Sequence, residues 1–437
     1  MLTRKNIFDK RLLHTGVIAF IAILISVAGQ LYAQPVSLGE LFDYALGNNP
    51  EIGALRNSIE AKKQDVRTAA VLPDPSFSAG YFISSVETRV GPQKGKIGAS
   101  QMFPWPGKLR DKKRIAQKEL SATIEELNDR SAVLLSVITE TYAALFAIGK
   151  TIAINSENLN LLKQMESLLL AKYSTSNTSQ MSLLKLQVAM AVLEDEIKSL
   201  ASEAKKEREK LIALLGGMYT KQIDFPQNLP DITVSIDESL LDSALNSSNP
   251  KLRNLSFLKS AASEKVNLSQ KKYIPNFMLM TDYIITDATN SSMVSADENG
   301  KNPWIITASI NVPIWFRANN AKISKMKNME SAVTEKEKNM HNILHAKIIE
   351  LHESYRDVDR KIELFETILI PKAKQSLSLF EEAYTNNNAS ILDFLDAQRM
   401  LLDLEIKLAR QKAMRIKLAG KIDTIFGGKE LIALANK

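Results

Sequence analysis

Leu134-Leu135-Ser136-Val137-Ile138-Thr139-Glu140-Thr141-Tyr142-Ala143-Ala144-Leu145-Phe146-Ala147-Ile148 lies in the middle of a run from Pro106 to Pro226. That run contains no internal proline and only Gly107, Gly149, Gly216 and Gly217 as glycines. Leu120, Ile124, Leu127, Leu134, Ile138, Leu145, Ile148, Ile152, Leu159 and Leu162 follow one alternation of four and three residues, with Ser131, Thr141 and Asn155 in the gaps. This is a heptad seam. Leu186, Met190, Leu193, Ile197, Leu200, Ala204, Leu211 and Leu214 repeat it, interrupted by Glu207. Between the two seams, Tyr173 to Ser179 is polar, and its side chains compete for backbone hydrogen bonds, which breaks the helix. A helix from Lys108 to Lys172 is on the order of 95 Å long at ~1.5 Å per residue. Such a length calls for an elongated antiparallel coiled coil.

Working outward, Ser37 and Glu40 form a capping box, and Asn49-Pro50 opens a second short helix. The arrangement recurs. Leu41-Phe42-Asp43-Tyr44-Ala45-Leu46 with Pro50 matches Leu240-Leu241-Asp242-Ser243-Ala244-Leu245 with Pro250. Leu72-Pro73 and Phe103-Pro104 match Ile274-Pro275 and Val312-Pro313, while Tyr173, Ser179, Leu184 and Leu193 match Tyr384, Ser390, Leu395 and Leu404. Two internal repeats follow: 34–236, with a helical hairpin over 107–216, and 237–437, with one over 317–426.

Each repeat also carries two segments of period two. Phe77, Ala79, Tyr81 and Ile83 alternate with small or polar residues, and Ile97, Ala99, Gln101 and Phe103 follow a loop. In the second repeat Phe277, Leu279, Tyr283 and Ile285 precede Trp304, Ile306, Ala308, Ile310 and Val312. Strands over 75–104 and 276–313, each of about ten residues with one apolar face, fit a transmembrane β-barrel or a soluble hairpin domain. In a bilayer, four strands leave an open edge, so several chains must share one barrel. Two copies make an eight-stranded barrel filled by side chains, and three make a twelve-stranded one with a lumen.

Residues 1–33 have a basic start, an apolar run from Gly16 to Val27 and Ala33 before Gln34, the pattern of a secretory signal peptide. Without Arg4, Lys5, Lys10 and Arg11 against Asp9, the net charge of +7 falls by three. Lys and Glu are mixed along the helices, so no nucleic-acid footprint is present. The chain has no cysteine, which excludes disulfides and an N-terminal lipid anchor on Cys.

Three stretches resemble the TolC family of outer-membrane efflux channels: Leu72-Pro73-Asp74-Pro75, Gln101-Met102-Phe103-Pro104-Trp105-Pro106-Gly107-Lys108, and Tyr384 to Gln398. The second stretch is most similar to the heavy-metal branch of CusC and CzcC. The resemblance spans about Leu38 to Phe426. It implies a mainly α protein with a β-barrel portion, a homotrimer with a twelve-stranded barrel in the outer membrane of a Gram-negative bacterium, and an α-barrel in the periplasm. By implication the chain is the exit duct of a tripartite efflux system for metal cations or small toxic compounds. Its partners would be a periplasmic adaptor, an inner-membrane RND-type transporter and outer-membrane lipid. A duct for type I protein secretion is a related reading, and a periplasmic coiled-coil scaffold or adhesin without a pore is the rival. The adaptor-facing tips carry over to Tyr173, Ser176, Ser179 and Leu184, and to Tyr384, Asn387, Ser390 and Leu395. Family members often have glycine where this chain has Ser176 and Asn387.

No catalytic constellation or cofactor motif is present, so the chain is not read as an enzyme. His341, His345 and His352 share one helical face, and the first two have a chelating spacing, yet no carboxylate stands at 348 or 349. They remain weak metal candidates, outweighed by a polar stripe. Met278 and Met280 read as barrel filling. Asp393 and Asp396 lie three apart near a helix start, where the dipole alone favours carboxylates. The resemblance gives them a second meaning, as a periplasmic gate.

Overall fold

The seam residues build the expected helices. In a computed structural model that describes residues 36–174, 180–230, 232, 234, 238–385 and 391–435, α3 (Lys108–Ser174) runs unbroken for 67 residues and α4 (Gln180–Leu214) returns beside it. Ile138, Leu145, Ile148, Leu159 and Leu162 are buried along α3, as are Leu186, Leu200, Ala204 and Leu211 along α4. One window of α3 is apolar enough to cross a membrane by composition, but most of it is buried inside the fold. The signal segment and the tip positions Ser176, Ser179, Asn387 and Ser390 lie outside the described residues.

Before α3 stand α1 (Leu38–Asn48), α2 (Pro50–Thr68), β1 (Ser76–Val86) and β2 (Gln93–Phe103). The second half runs α5 (Leu241–Ser248), α6 (Pro250–Gln270), β3 (Phe277–Thr286), β4 (Trp304–Ile310), α7 (Phe316–Leu364), a π-helical turn (Phe365–Leu369), α8 (Ile370–Thr385), α9 (Ile391–Ile425) and α10 (Lys429–Ala435). Half of the capping box forms: the Glu40 N–H donates to Ser37 Oγ at 3.2 Å, whereas the Glu40 carboxylate accepts from Lys221 instead of the Ser37 N–H. The π turn precedes Pro371, whose missing N–H and ring disfavour a regular helix there. β4 is shorter than the ten residues expected. Asn311 Oδ1 accepts the Asn276 N–H at 2.5 Å in place of a ladder bond, and Pro313 has no N–H to give.

Each half closes with the same joint. Gly216 and Gly217 end α4 at φ 97° and 80°, and Gly427 and Gly428 follow α9 at 91° and 71°. Only glycine enters this left-handed region without strain. Asn49 donates to the Leu214 carbonyl at 2.8 Å, and Asn249 to the Ile425 carbonyl at 2.7 Å. The carbonyls orphaned at each long helix end are thereby met by the N-capping asparagine of a short helix.

The halves interlock through charge as well as packing. α3 and α6 form an antiparallel ladder: Asp111–Lys271 at 2.5 Å, Glu119–Lys265 at 2.6 Å, Glu125–Arg253 at 2.6 Å and Asp129–Lys251 at 3.8 Å. Burial pushes the Asp129 carboxyl above its ordinary pKa, against the pull of Lys251 and Arg130. Beneath the ladder, Phe42 and Ile52 share a core with Leu135 and Leu145 of α3, Ile416 of α9 and Leu431 of α10.

Candidate functional site

The strands form one antiparallel sheet in the order β1-β2-β3-β4. Its register aligns the apolar alternations of all four strands. Phe77 pairs with Ala99, Ala99 with Thr281 and Thr281 with Ile306; in the next row Ala79, Ile97, Tyr283 and Trp304 stand side by side. Phe77, Tyr81, Ile83, Ile97, Leu279, Trp304 and Ile306 are exposed together on this face, with Ile83 97% accessible. Gln101 and Thr281 are the polar residues in this set, and the Gln101 amide is used locally, donating to the Pro73 and Met102 carbonyls at 2.8 and 2.9 Å. β1 and β2, of eleven residues each, at ~3.4 Å per residue and a tilt of ~40° reach about 26 Å in height, the height of the apolar band of a membrane barrel, while β4 with seven residues falls short of it.

The opposite face is mixed: it carries Ser78, Lys96, Ser100, Asp282, Thr307 and Ser309, with Met102, Met278, Met280, Ile284 and Ile305 among them. Lys96 Nζ lies 3.7 Å from Asp282 Oδ1. A Cβ on Gly98 would stand 2.3 Å from that same oxygen, so glycine makes room for the buried carboxylate. Beyond the sheet, the two outer loops are tied together by Arg89–Glu298 at 2.7 Å and by the Gly300 N–H donating to the Val90 carbonyl at 2.7 Å. Aromatic residues mark both ends: Trp105 stacks on Phe277 at the helical end, and Tyr283 meets Trp304 edge-on near the loops. Membrane barrels carry aromatic residues at both interfaces.

At the far end of the helices, Leu162, Met165 and Leu169 of α3, Leu186 of α4, and Ile391 and Phe394 of α9 form one core. Tyr384 and Leu395 pack against it, half-buried. With Phe394 turned inward, Asp393 and Asp396 fall on the exposed side of α9. On α4, Leu184 is exposed and belongs to a stripe with Met181, Val188 and Val192, each between 53% and 65% accessible. This stripe runs beside the heptad seam. Its spacing of three, four and four was present in the sequence, and seam counting passed over it.

His341 and His345 are met by a carboxylate from another helix. Asp242 Oδ1 of α5 lies 3.5 Å from His341 Nε2 and 3.8 Å from His345 Nε2. Sequence spacing on α7 alone cannot show this contact.

Comparison with known proteins agrees with this geometry. Nodulation protein T of Rhizobium leguminosarum bv. trifolii is 20% identical over 396 residues, covering 85% of this chain and 81% of that protein. The structure of CusC superposes with a TM-score of 0.75 at 16% identity, covering 91% of this chain and 96% of that one. That of the outer-membrane channel OprN gives 0.73 at 17% identity, covering 90% of each. No family model matches the chain. The chain therefore has the fold of the TolC-like outer-membrane channels, mainly helical with four antiparallel strands. CusC and OprN match it almost equally well, so the likeness reaches the fold and not a branch.

Proposed function

We propose that this chain is the passive exit duct of an outer-membrane efflux system. The observation that carries the reading is the sheet: one apolar face, one mixed face that holds Lys96 and Asp282, and two unpaired edges at β1 and β4. An unpaired edge in lipid leaves several backbone groups unsatisfied, so copies must pair edge to edge. Three copies close a twelve-stranded barrel whose lumen is lined by Lys96, Asp282 and their polar neighbours. The repeats 34–236 and 237–437 each contribute one β-hairpin and one helical hairpin, and the helical hairpins extend the barrel into the periplasm.

In this reading the exposed stripe of α4 is covered by the neighbouring chain. Asp393 and Asp396 ring the periplasmic mouth, and the tips around Tyr173, Leu184, Tyr384 and Leu395 meet a periplasmic adaptor. An inner-membrane transporter of RND type supplies the energy, and the duct itself hydrolyses nothing. The Phe103-Pro104-Trp105-Pro106 motif supports a heavy-metal or small-toxin cargo. Cross-linking of the detergent-solubilised protein from outer membranes tests this. We expect a heat-modifiable trimer that conducts ions in planar bilayers. A dimer or monomer as the largest specific product, or recovery in the soluble periplasmic fraction, overturns it.

A further inference from the structure

We propose that the junction between copies repeats the junction inside the chain with the signs of its charges exchanged: α2 of one copy, acidic, docks on α7 of the next, basic. The ring itself rests on the duct reading; the charges decide the order of its members. α3 follows β2 and α6 leads into β3, so the α3–α6 ladder continues from the paired strands β2 and β3. α7 follows β4 and α2 leads into β1, the two unpaired edges. Closing the sheet edge to edge therefore brings α7 beside a neighbour's α2, as α3 stands beside α6.

The internal repeat supplies the register. Leu135, Thr139 and Tyr142 of α3 fall on Leu344, Ile348 and Leu351 of α7 at the same offset as Phe103-Pro104 on Val312-Pro313, and all six helix residues are buried. Pro250 and Ala261 of α6 fall on Pro50 and Ala61 of α2. Carried across, the rung Asp129–Lys251 becomes Lys338–Glu51, an ion pair of opposite polarity. Glu119–Lys265 becomes Asn328–Asp65, with Lys327 next to Asn328. Asn320 and Thr334 replace Asp111 and Glu125, so the other two rungs carry no charge on α7. The contact faces of the inner junction are covered, and their counterparts are bare. Ala122 and Ala261 are 2% and 1% accessible, whereas Ser331 and Ala61 are exposed, as are Glu51, Asp65, Lys327 and Lys338. Glu51 lies 3.6 Å from Arg130 and Lys338 2.8 Å from Glu335, exposed pairs that contribute little and can be exchanged. The exchange of sign also excludes wrong neighbours. The acidic face of α3 would meet like charge on a neighbour's α2, and the basic face of α6 would meet like charge on a neighbour's α7, so alternation of first and second repeats is the order that avoids repulsion.

The test uses the full-length, detergent-solubilised protein, into which cysteine pairs can be placed because the chain has none. Glu51→Cys with Lys338→Cys, treated with a short bis-maleimide, should give covalent trimers on a denaturing gel. Tyr81→Cys with Ile306→Cys is the control at the strand seam, since the repeat carries the pair Ile97–Tyr283 onto Ile306–Tyr81. Among charge variants, Glu51→Lys and Lys338→Glu should each lower trimer recovery several-fold at low salt and less at high salt, and the two together should restore it. Cross-linking at the strand seam without cross-linking between positions 51 and 338, or a double charge variant no better than the single ones, overturns the junction and leaves the duct reading standing. A monomer by size-exclusion chromatography, with no cross-link at either place, overturns both.

Discussion

The two helical tips are folded on one plan and differ in what they show to their surroundings. On α4, the exposed positions Leu184, Val188 and Val192 are apolar. At the matching register of α9 stand Leu395, Arg399 and Asp403, the first half-buried and the others exposed. Likewise Ser182 and Lys185 of α4 correspond to Asp393 and Asp396. Both helices bury the same inward side, through Leu186 on one and Phe394 on the other. The two tips thus share a packing face and differ on their outer faces, one apolar and one rich in carboxylates.

The sharpest way to break this comparison is to erase the apolar side of it. Val188→Asp with Val192→Asp should prevent recovery of trimers, because each valine buried at an interface contributes about 1.5–3 kcal/mol and a buried carboxylate adds a desolvation cost. Size-exclusion chromatography checks this, and an intact trimer would mean that the stripe stays solvent-facing. Next in size, Asp393→Asn with Asp396→Asn should leave the trimer intact. It should lower cation selectivity in planar bilayers several-fold and weaken divalent block from the periplasmic side, as removal of a carboxylate ring does. Unchanged selectivity would return both residues to ordinary helix-start carboxylates. A reciprocal graft sharpens the contrast: Ser182→Asp with Lys185→Asp should raise cation selectivity, by less than the aspartate removal lowers it. Reversal potentials under a salt gradient measure both.

The smallest expected effect concerns the long helices that carry the tips. α3 is continuous, whereas its counterpart is divided by the π turn before Pro371. Pro371→Ala should restore a regular helix and raise stability by about 1 kcal/mol, a shift of a few degrees in melting temperature. A lower melting temperature would show that neighbouring packing depends on the turn.

Much of this architecture is legible in the sequence because it is written in periods. A repeat of three and four over Leu120 to Leu162 specifies a long helix with one buried seam, and alternation over Phe77 to Ile83 specifies a strand with one apolar face. The sheet register then showed that four separately read alternations share one face. What stayed hidden depends on contacts between elements. Asp242 stands about a hundred residues before His341, and no periodicity connects them. The ladder between α3 and α6 was hidden for the same reason, since each helix by itself shows only a mixed charged surface. The π turn answers to Pro371, one residue within a helical stretch whose periodic pattern carries no sign of the break.

The number of strands in the sheet carries one more consequence. With β1 to β4 antiparallel throughout, the two edge strands run in opposite directions. A neighbouring copy can therefore join at either edge and continue the alternation, whatever the number of copies. An odd number of strands would give both edges the same direction, and every seam between copies would be a parallel pair, whose slanted bonds are slightly less stable. Parity is thus a property of the single polypeptide. In the history of such a chain, a hairpin gained or lost is tolerable in ring closure, whereas a single strand gained or lost spoils every junction at once.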